Sequence, residues 1–154
     1  FTNEMKKLGK EPTSRVLDFK ISYPDKKIAD NLNISTGEKV YKFTRLRLAD
    51  QVSMMVETTY LPHKMFADIS KEDLEERPLY TILMEDYDTS LSKAEEMFRP
   101  TLLNEDEAET LQSMEGGPAI LLERLTYNEA EVLIEYTKSV ARGDKFKYHV
   151  VLQK

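Results

Sequence analysis

The chain has 154 residues, of which 40% are hydrophobic and 32% charged, and its net charge is −6. This composition argues against wholesale disorder and predicts one domain with a sizeable core. The absence of cysteine excludes disulfides, thiolate metal sites and cysteine nucleophiles. The sequence contains no apolar run of about 18 residues, the length that a membrane-spanning helix needs. The negative charge argues against nucleic-acid binding by this segment through charge alone.

The first half of the chain predicts a linker, a strand, a helix and a hairpin, in that order. Residues 1–14 are rich in polar residues, Gly and Pro, and are interpreted as a linker that leads into the domain. Apolar residues in 15–22 predict a strand, and the spacing of Ile28 and Leu32 predicts a short helix that begins near Asp25. Residues 40–48 and 52–60 are rich in β-branched and aromatic residues and predict a β-hairpin.

The second half begins with helix signals. Ser70 and Asp73 form a weak capping pattern, and Pro78 is suited to the first position of a helix. Residues 89–103 have the propensity of a helix and the alternation of a strand. We favour a strand because Arg99-Pro100 lies near its end. Asn104 predicts the start of a further helix, which Gly116-Gly117 ends near Glu115.

Three further strands are predicted at the end of the chain. They cover residues 119–127, 132–140 and 145–152, and the last alternates Phe146, Tyr148, Val150 and Leu152 with more polar residues. Because the elements form hairpins rather than strict βαβ units, the expected fold class is α+β, a largely antiparallel sheet with flanking helices.

Motifs of catalysis are absent from the sequence. It has no Gly-x-Ser-x-Gly elbow, no glycine-rich phosphate loop and no dinucleotide fingerprint. His63 and His149 are interpreted as surface or packing residues. The clusters of Glu and Asp lie at predicted helix starts, where negative charge complements the helix dipole. No metal site, no cofactor and no enzymatic activity are therefore predicted.

Arg45 and Arg47 are the most informative pair. Residues two apart on a strand point to the same face, and Tyr41 and Phe43 share that face. Two neighbouring guanidinium groups must be solvated, paired with carboxylates or occupied by an anion, and Arg suits carboxylate or phosphate through paired hydrogen bonds. The alternative to an anion site is an ordinary strand face with ion pairs to Glu57 or Glu135.

The hairpin register decides whether Glu57 joins this pair. A three-residue loop of Asp50, Gln51 and Val52 would place Arg45 opposite Glu57. A two-residue loop would turn Glu57 to the other face, since a slip of one residue inverts every side chain. On residues 132–140, Glu135 and its alternate neighbours form a polar face, which suits either a polar pocket or a strand that faces solvent.

Over nearly its whole length the sequence resembles the UTRA domain, the effector-binding domain of GntR-type transcriptional regulators of the HutC subfamily, whose fold is related to that of chorismate lyase. The resemblance rests on short segments that occur in the family's order. They are Phe1-Thr2-Asn3-Glu4-Met5, Leu8-Gly9-Lys10, Pro12-Thr13-Ser14, Ile28-Ala29, Gly37-Glu38, Val40-Tyr41, Arg45-Leu46-Arg47-Leu48-Ala49-Asp50, Glu57-Thr58-Thr59-Tyr60-Leu61-Pro62, Leu79-Tyr80, Glu135-Tyr136 and Arg142-Gly143-Asp144.

The resemblance implies a homodimer that senses a small metabolite in the cytoplasm. It also implies that a winged helix-turn-helix domain precedes Phe1 and binds DNA, which agrees with the absence of a starting Met. In relatives that sense sugar phosphates, the two arginines hold the anion and the carboxylates bind hydroxyl or amino groups. Carried over residue by residue, the resemblance implies a ligand site formed by Thr13, Ser14, Arg45, Arg47, Glu57, Tyr80 and Glu135.

Three positions depart from the family pattern. Pro78 replaces the usual Ser before Leu-Tyr, Ala141 replaces the usual Tyr before Arg-Gly-Asp, and Gln51 replaces the usual turn glycine. The first two departures allow a ligand other than a phosphosugar. The alternatives to a sensor are a chorismate-lyase-like enzyme and a dimerisation module with a degenerate pocket.

Overall fold

A six-stranded antiparallel sheet forms the centre of the fold, with strand order β1-β2-β3-β6-β5-β4. The computed structural model describes the backbone of residues 2–154 and the side chains from Met5 onward, so Phe1 lies outside the described residues. The strands are β1 (Pro12–Ser22), β2 (Val40–Ala49), β3 (Val52–Pro62), β4 (Leu91–Leu102), β5 (Pro118–Asn128) and β6 (Leu133–Arg142). The helices are α1 (Thr2–Lys7), α2 (Lys26–Leu32), α3 (Lys71–Glu76), α4 (Leu79–Tyr87) and α5 (Glu105–Leu111), with a 3-10 turn at His63–Met65. This is the α+β antiparallel fold that the sequence predicts.

The helices lie on both faces of the sheet. On one face, apolar residues of α3 and α4 pack with the aromatic residues of β2; the core there includes Tyr41, Phe43, Leu74, Ile82 and Leu83. On the other face, α5 packs over β2 and β6 through Leu46, Ala108, Leu111 and Val140, and α2 packs through Leu32 against Val40 and Tyr136. Among the described residues, no helix has the length and apolar run that crossing a membrane requires.

The segment interpreted as a linker is partly structured. Its first residues form α1, and β1 begins at Pro12, three residues before the predicted strand at residue 15. Met5 is 2% exposed and packs against Ala49, Met54 and Phe146. The sequence offers no apolar periodicity over so short a helix, which explains why its composition suggested a linker.

Side-chain caps fix several helix starts as predicted. Ser70 accepts a hydrogen bond from the Asp73 N–H at 3.1 Å. Asn104 and Glu107 form a reciprocal capping box, with bonds of 2.8 and 3.0 Å. The end of α5 differs from the prediction. It stops at Leu111, because Gln112 adopts the left-handed conformation four residues before the predicted glycine stop.

The β2–β3 connection combines a tight turn with a bulge. Asp50 and Gln51 both have positive φ, 49° and 67°, and Ala49 pairs with Val52 across this two-residue loop. The structure therefore has the two-residue alternative. Further along, Leu48 pairs with Ser53 and Arg47 with Met55, which leaves Met54 as an extra residue in β3. Beyond that bulge, Arg45 lies opposite Glu57, the pairing expected for the three-residue alternative.

The predicted last strand, residues 145–152, is not a strand. After β6 the chain turns through Gly143 and continues without regular secondary structure. The segment cannot pair beside β6, the strand that it follows, because β6 is already flanked by β3 and β5. Instead, Phe146 packs beside Met5, and the Tyr148 ring lies 4.4 Å from the Phe98 ring between centroids.

Candidate functional site

Arg45, Arg47 and Glu57 form a buried ion cluster on the face of the sheet that α3 and α4 partly cover. Arg45 Nη2 donates to Glu57 Oε2 at 3.2 Å, and Arg47 Nη1 donates to the same oxygen at 3.1 Å. The three residues are only 4%, 8% and 6% exposed. Two buried guanidinium groups thus donate to one carboxylate oxygen.

The electrostatics of the cluster follow from its burial. Burial alone would raise the pKa of the Glu57 carboxyl, but Arg47 and Arg45 outweigh it and hold that pKa below its usual value. Burial lowers the pKa of Arg45, and Glu57 opposes this shift. The Arg45 Nε is buried and has no hydrogen-bond partner among the described residues. A buried donor of this kind is costly to leave unpaired, so it is suited to an incoming acceptor.

A cavity of ≈ 460 Å³ opens beside the two arginines. It is bounded by the start of β1, the two arginines and the α3–α4 connection; its lining residues are Lys6, Glu11, Pro12, Thr13, Ser14, Arg45, Arg47, Leu74, Glu75, Glu76, Arg77 and Pro78. Ser14 pairs with Arg47 across the β1–β2 ladder, which explains how the predicted Thr13-Ser14 segment reaches the arginines. Four of the seven predicted site residues therefore line one cavity, and Glu57 lies against its arginines.

Tyr80 and Glu135 belong to a neighbouring polar cluster. The Tyr80 hydroxyl donates to Glu135 Oε1 at 2.7 Å, and the Thr126 hydroxyl donates to the same oxygen at 2.8 Å. The Thr137 hydroxyl donates to Glu135 Oε2 at 2.5 Å. Glu135 is 2% exposed, which rules out a strand that simply faces solvent at this position. Burial, reinforced by Glu135, raises the pKa of Tyr80 to about 12.

Arg124 and Glu96 complete this cluster and were not predicted. Arg124 Nη1 donates to the Tyr80 hydroxyl at 3.3 Å, while its Nη2 lies 3.1 Å from Glu96 Oε2. Because a guanidinium only donates, the Tyr80 oxygen accepts from Arg124 and directs its own proton to Glu135. Burial lowers the pKa of Arg124, but the nearby Tyr80, Glu135 and Glu96 raise it above its usual value.

One row of polar side chains joins the two clusters. Thr59 on β3 pairs with Thr137 on β6, and Thr137 pairs with Arg124 on β5. The hydroxyls of Thr59 and Thr137 are 2.9 Å apart. Glu135 and Ser139 are four residues apart on β6, which corresponds to about 13 Å at the usual strand rise. Ser139 pairs with Glu57 on β3. Tyr80 and Glu135 thus lie on the same polar sheet face as the arginines, but outside the lining of the ≈ 460 Å³ cavity.

The two departures from the family pattern have different positions. Pro78 lines the cavity and immediately precedes α4, whose start has no side-chain cap. Ala141 is 2% exposed and pairs with Met55, which in turn faces Arg47. Strand β3 therefore separates Ala141 on β6 from Arg47 on β2, and Ala141 is not among the lining residues of the cavity.

The histidines and acidic clusters provide no metal centre in the described part of the chain. The His63 ring packs on Tyr41 with 4.9 Å between centroids, as expected for a packing residue. Among the described residues, no three His, Asp or Glu side chains come close enough together to hold a metal ion.

The architecture places the chain in the α+β class, with a charged sheet face beside a cavity. Residues 7–147 match the family model of the UTRA domain, and the chain belongs to that family. The chain is 27% identical over 148 residues to the HTH-type transcriptional repressor NagR of Bacillus subtilis, covering 96% of this chain and 60% of the repressor. The resemblance to UTRA domains is confirmed, and the chain spans about 60% of the length of this curated relative.

Solved structures of regulators share the fold. YydK of Bacillus subtilis, described as a possible transcriptional regulator, superimposes with a TM-score of 0.89 at 21% identity, over 93% of this chain and 62% of that chain. The effector domain of PhnF from Mycobacterium smegmatis gives a TM-score of 0.88 at 23% identity, over 99% and 94% of the two chains. At these identities the likeness establishes the fold.

Proposed function

We propose that this chain is the ligand-sensing and dimerisation domain of a bacterial transcriptional regulator. In this proposal it binds a small anionic metabolite, with a sugar phosphate favoured, at Arg45 and Arg47. Ligand binding then alters DNA binding by a winged helix-turn-helix domain that precedes the chain in the full-length, homodimeric and cytoplasmic protein. The family membership and the regulators among its relatives support the class of protein.

The single observation that carries the ligand class is the shared carboxylate. Both buried guanidinium groups donate to one Glu57 oxygen, and both arginines also line the cavity. The buried Arg45 Nε has no hydrogen-bond partner among the described residues, which is unfavourable for a buried donor. An anion that enters the cavity brings negative charge and further acceptors to the two arginines. Thr13 and Ser14 add hydroxyl groups to the same lining.

The roles proposed for the remaining site residues differ. Glu57 holds the two arginines in place, since both bonds go to its Oε2. Glu135 accepts three hydrogen bonds from neighbouring hydroxyls, which leaves about one of its four acceptor positions for a ligand hydroxyl or amino group. Tyr80 is positioned as a wall residue that a ligand meets before Glu135.

Control of DNA binding requires that the ligand favour one conformation of the domain. A ligand shifts such an equilibrium only by its differential affinity for the two states. The linkage is testable in the full-length regulator, where the ligand must change affinity for operator DNA. The proposed homodimer is tested by light scattering, which distinguishes one 17.9 kDa chain from two.

A thermal-shift screen of this chain tests the ligand proposal. Sugars, sugar 6-phosphates, amino-sugar phosphates and small carboxylic acids are compared, each over a concentration series. A compound that binds only the folded state raises the melting temperature in a concentration-dependent way. We expect a phosphorylated compound to do so, and we expect the shift to be lost in Arg45→Ala.

The other outcomes separate the alternatives. Binding of unphosphorylated acids or sugars alone would reject the sugar phosphate as the ligand. Turnover of chorismate would favour the lyase-like enzyme. A dimer that binds none of these compounds would favour a dimerisation module with a degenerate pocket.

A further inference from the structure

Helix α1 forms one wall of the cavity beside the arginines. Lys6, in the last turn of α1, lines the cavity together with Arg45 and Arg47. The adjacent Lys7 is in the same turn but is not among the lining residues. No described carboxylate lies within ion-pair distance of the Lys6 ammonium.

The position of Lys6 is fixed by the packing of its neighbour. Met5 is 2% exposed and inserts between Ala49, Met54 and Phe146. The N–H groups of Leu8 and Lys10 both donate to the Met5 carbonyl, at 3.1 and 2.9 Å. Gly9 has a φ of +74°, a conformation that glycine adopts without strain, and it ends the helix there.

The chain then returns directly to the cavity. The Glu11 N–H donates to Asp50 Oδ1 at 2.7 Å, and the Asp50 N–H donates to the Glu11 carbonyl at 3.0 Å. Strand β1 begins at the next residue and carries Thr13 and Ser14 along the arginines. Helix α1 and the start of β1 are therefore both held to the β2–β3 hairpin, and both contribute residues to the cavity lining.

We propose that Lys6 is a ligand-binding residue, and that an anion bridging Lys6 and Arg45 fastens α1 to the sheet. This inference rests on the proposed function and deepens it, because it names the element that responds to the ligand. Glu11, Glu75 and Glu76 also line the cavity, so Lys6 shares the lining with acidic residues when no ligand is bound. An anion held by the buried arginines would give the Lys6 ammonium a partner at a fixed position.

Three variants on the same helix test the inference. Lys6→Ala is compared with Lys7→Ala, which removes an equal charge without touching the cavity lining, and with Lys6→Arg as the conservative replacement. Affinity for glucose 6-phosphate and for inorganic phosphate is measured by calorimetry at low and high salt. Hydrogen exchange of residues 2–8 is followed with and without each compound.

We expect Lys6→Ala to bind glucose 6-phosphate about tenfold more weakly than the wild type at low salt, with a smaller difference at high salt. Lys7→Ala should match the wild type, and Lys6→Arg should restore most of the affinity. The ligand should slow exchange of residues 2–8 in the wild type and in Lys7→Ala but not in Lys6→Ala.

Three results would overturn the inference. Equal affinity and equal protection in Lys6→Ala and Lys7→Ala would reject Lys6 as a ligand contact while the proposed function stands. Weaker binding in Phe146→Ala combined with unchanged binding in Lys6→Ala would assign the effect to packing of α1 instead of to its charge. Failure of the wild type to bind either compound would reject the phosphate site, and the inference with it.

Discussion

Arg45 lies opposite Glu57 across the β2–β3 ladder, although the loop that joins these strands has the length that would place them on opposite faces. The extra residue that restores the pairing is Met54, which is buried together with Ser53 and Met55 in three consecutive positions. Such a run is the burial pattern of a bulge, in which one strand supplies two residues against one of its partner. The ion cluster therefore depends on the bulge at Met54 in β3, which offsets the register set by the two-residue loop.

Removing the carboxylate of the cluster should strongly destabilise the fold. Glu57→Gln removes the carboxylate to which both buried guanidinium groups donate, which should lower the free energy of unfolding by about 3–5 kcal/mol. Urea denaturation at neutral pH measures this loss. Glu38→Gln is the matched control, because its ion pair with Lys64 is exposed and should contribute much less to stability. Similar losses in both variants would contradict the buried arrangement.

The Glu57 carboxylate should also make the free energy of unfolding depend on pH. The folded pKa of Glu57 lies below the unfolded value of about 4.3. Its contribution is therefore fully present above that value and is lost as the pH falls through the folded pKa. Between pH 6 and pH 3, the wild type should lose more unfolding free energy than Glu57→Gln. If the unfolding free energies of the two proteins depended on pH in the same way, the ionised form of Glu57 would not be stabilised by the two arginines.

The Tyr80 hydroxyl should contribute measurably to stability. Tyr80→Phe removes the donor to Glu135 and the acceptor of Arg124, so we expect a loss of about 1–3 kcal/mol. The control is Tyr127→Phe, whose hydroxyl makes only a 3.5 Å exposed contact with Glu95 and should change stability by less than about 0.5 kcal/mol. Thermal unfolding of both variants provides the comparison. An unchanged melting temperature in Tyr80→Phe would mean that water replaces the hydroxyl without cost.

Glycine at the tight turn should stabilise the hairpin. Gln51 has a φ of 67°, in the left-handed region where a side chain is disfavoured, and glycine removes that penalty. We expect Gln51→Gly to raise the free energy of unfolding by about 0.5–1 kcal/mol. Val52→Gly, one residue further and inside β3, should lower it instead. Destabilisation by Gln51→Gly would indicate that the Gln51 side chain makes a contact of its own.

Local patterns were sufficient to predict most elements of the sheet. The alternation in β2 and β3, the caps at Ser70 and Asn104 and the strand at 91–102 depend on residues close together in sequence. The last segment shows the limit of such reasoning. Residues 145–152 alternate as a strand does, but the preceding strand β6 has a neighbour on each side, and that arrangement depends on the order of all the other strands.

The candidate site divides in the same way. Arg45 and Arg47 are two apart on one strand, so their shared face follows from strand geometry alone. Arg124 contacts both Glu96 and Tyr80 only because β5 lies between β6 and β4, a non-local arrangement. The sequence does contain one signal for them, since Arg124 and Thr126 interrupt an apolar run at alternate positions on what becomes one face.

The Met54 bulge also determines which changes of chain length the domain can tolerate. Deleting Met54 would make Leu48–Ser53 and Arg47–Met55 consecutive pairs, so a regular ladder would still place Arg45 opposite Glu57. A residue added to the turn would lie outside the ladder and would also leave this pairing unchanged. A residue added to β3 between Met55 and Glu57 would instead turn Glu57 to the other face, unless a second bulge absorbed it. Viable length variants of this hairpin should therefore be confined to the turn and to the bulge.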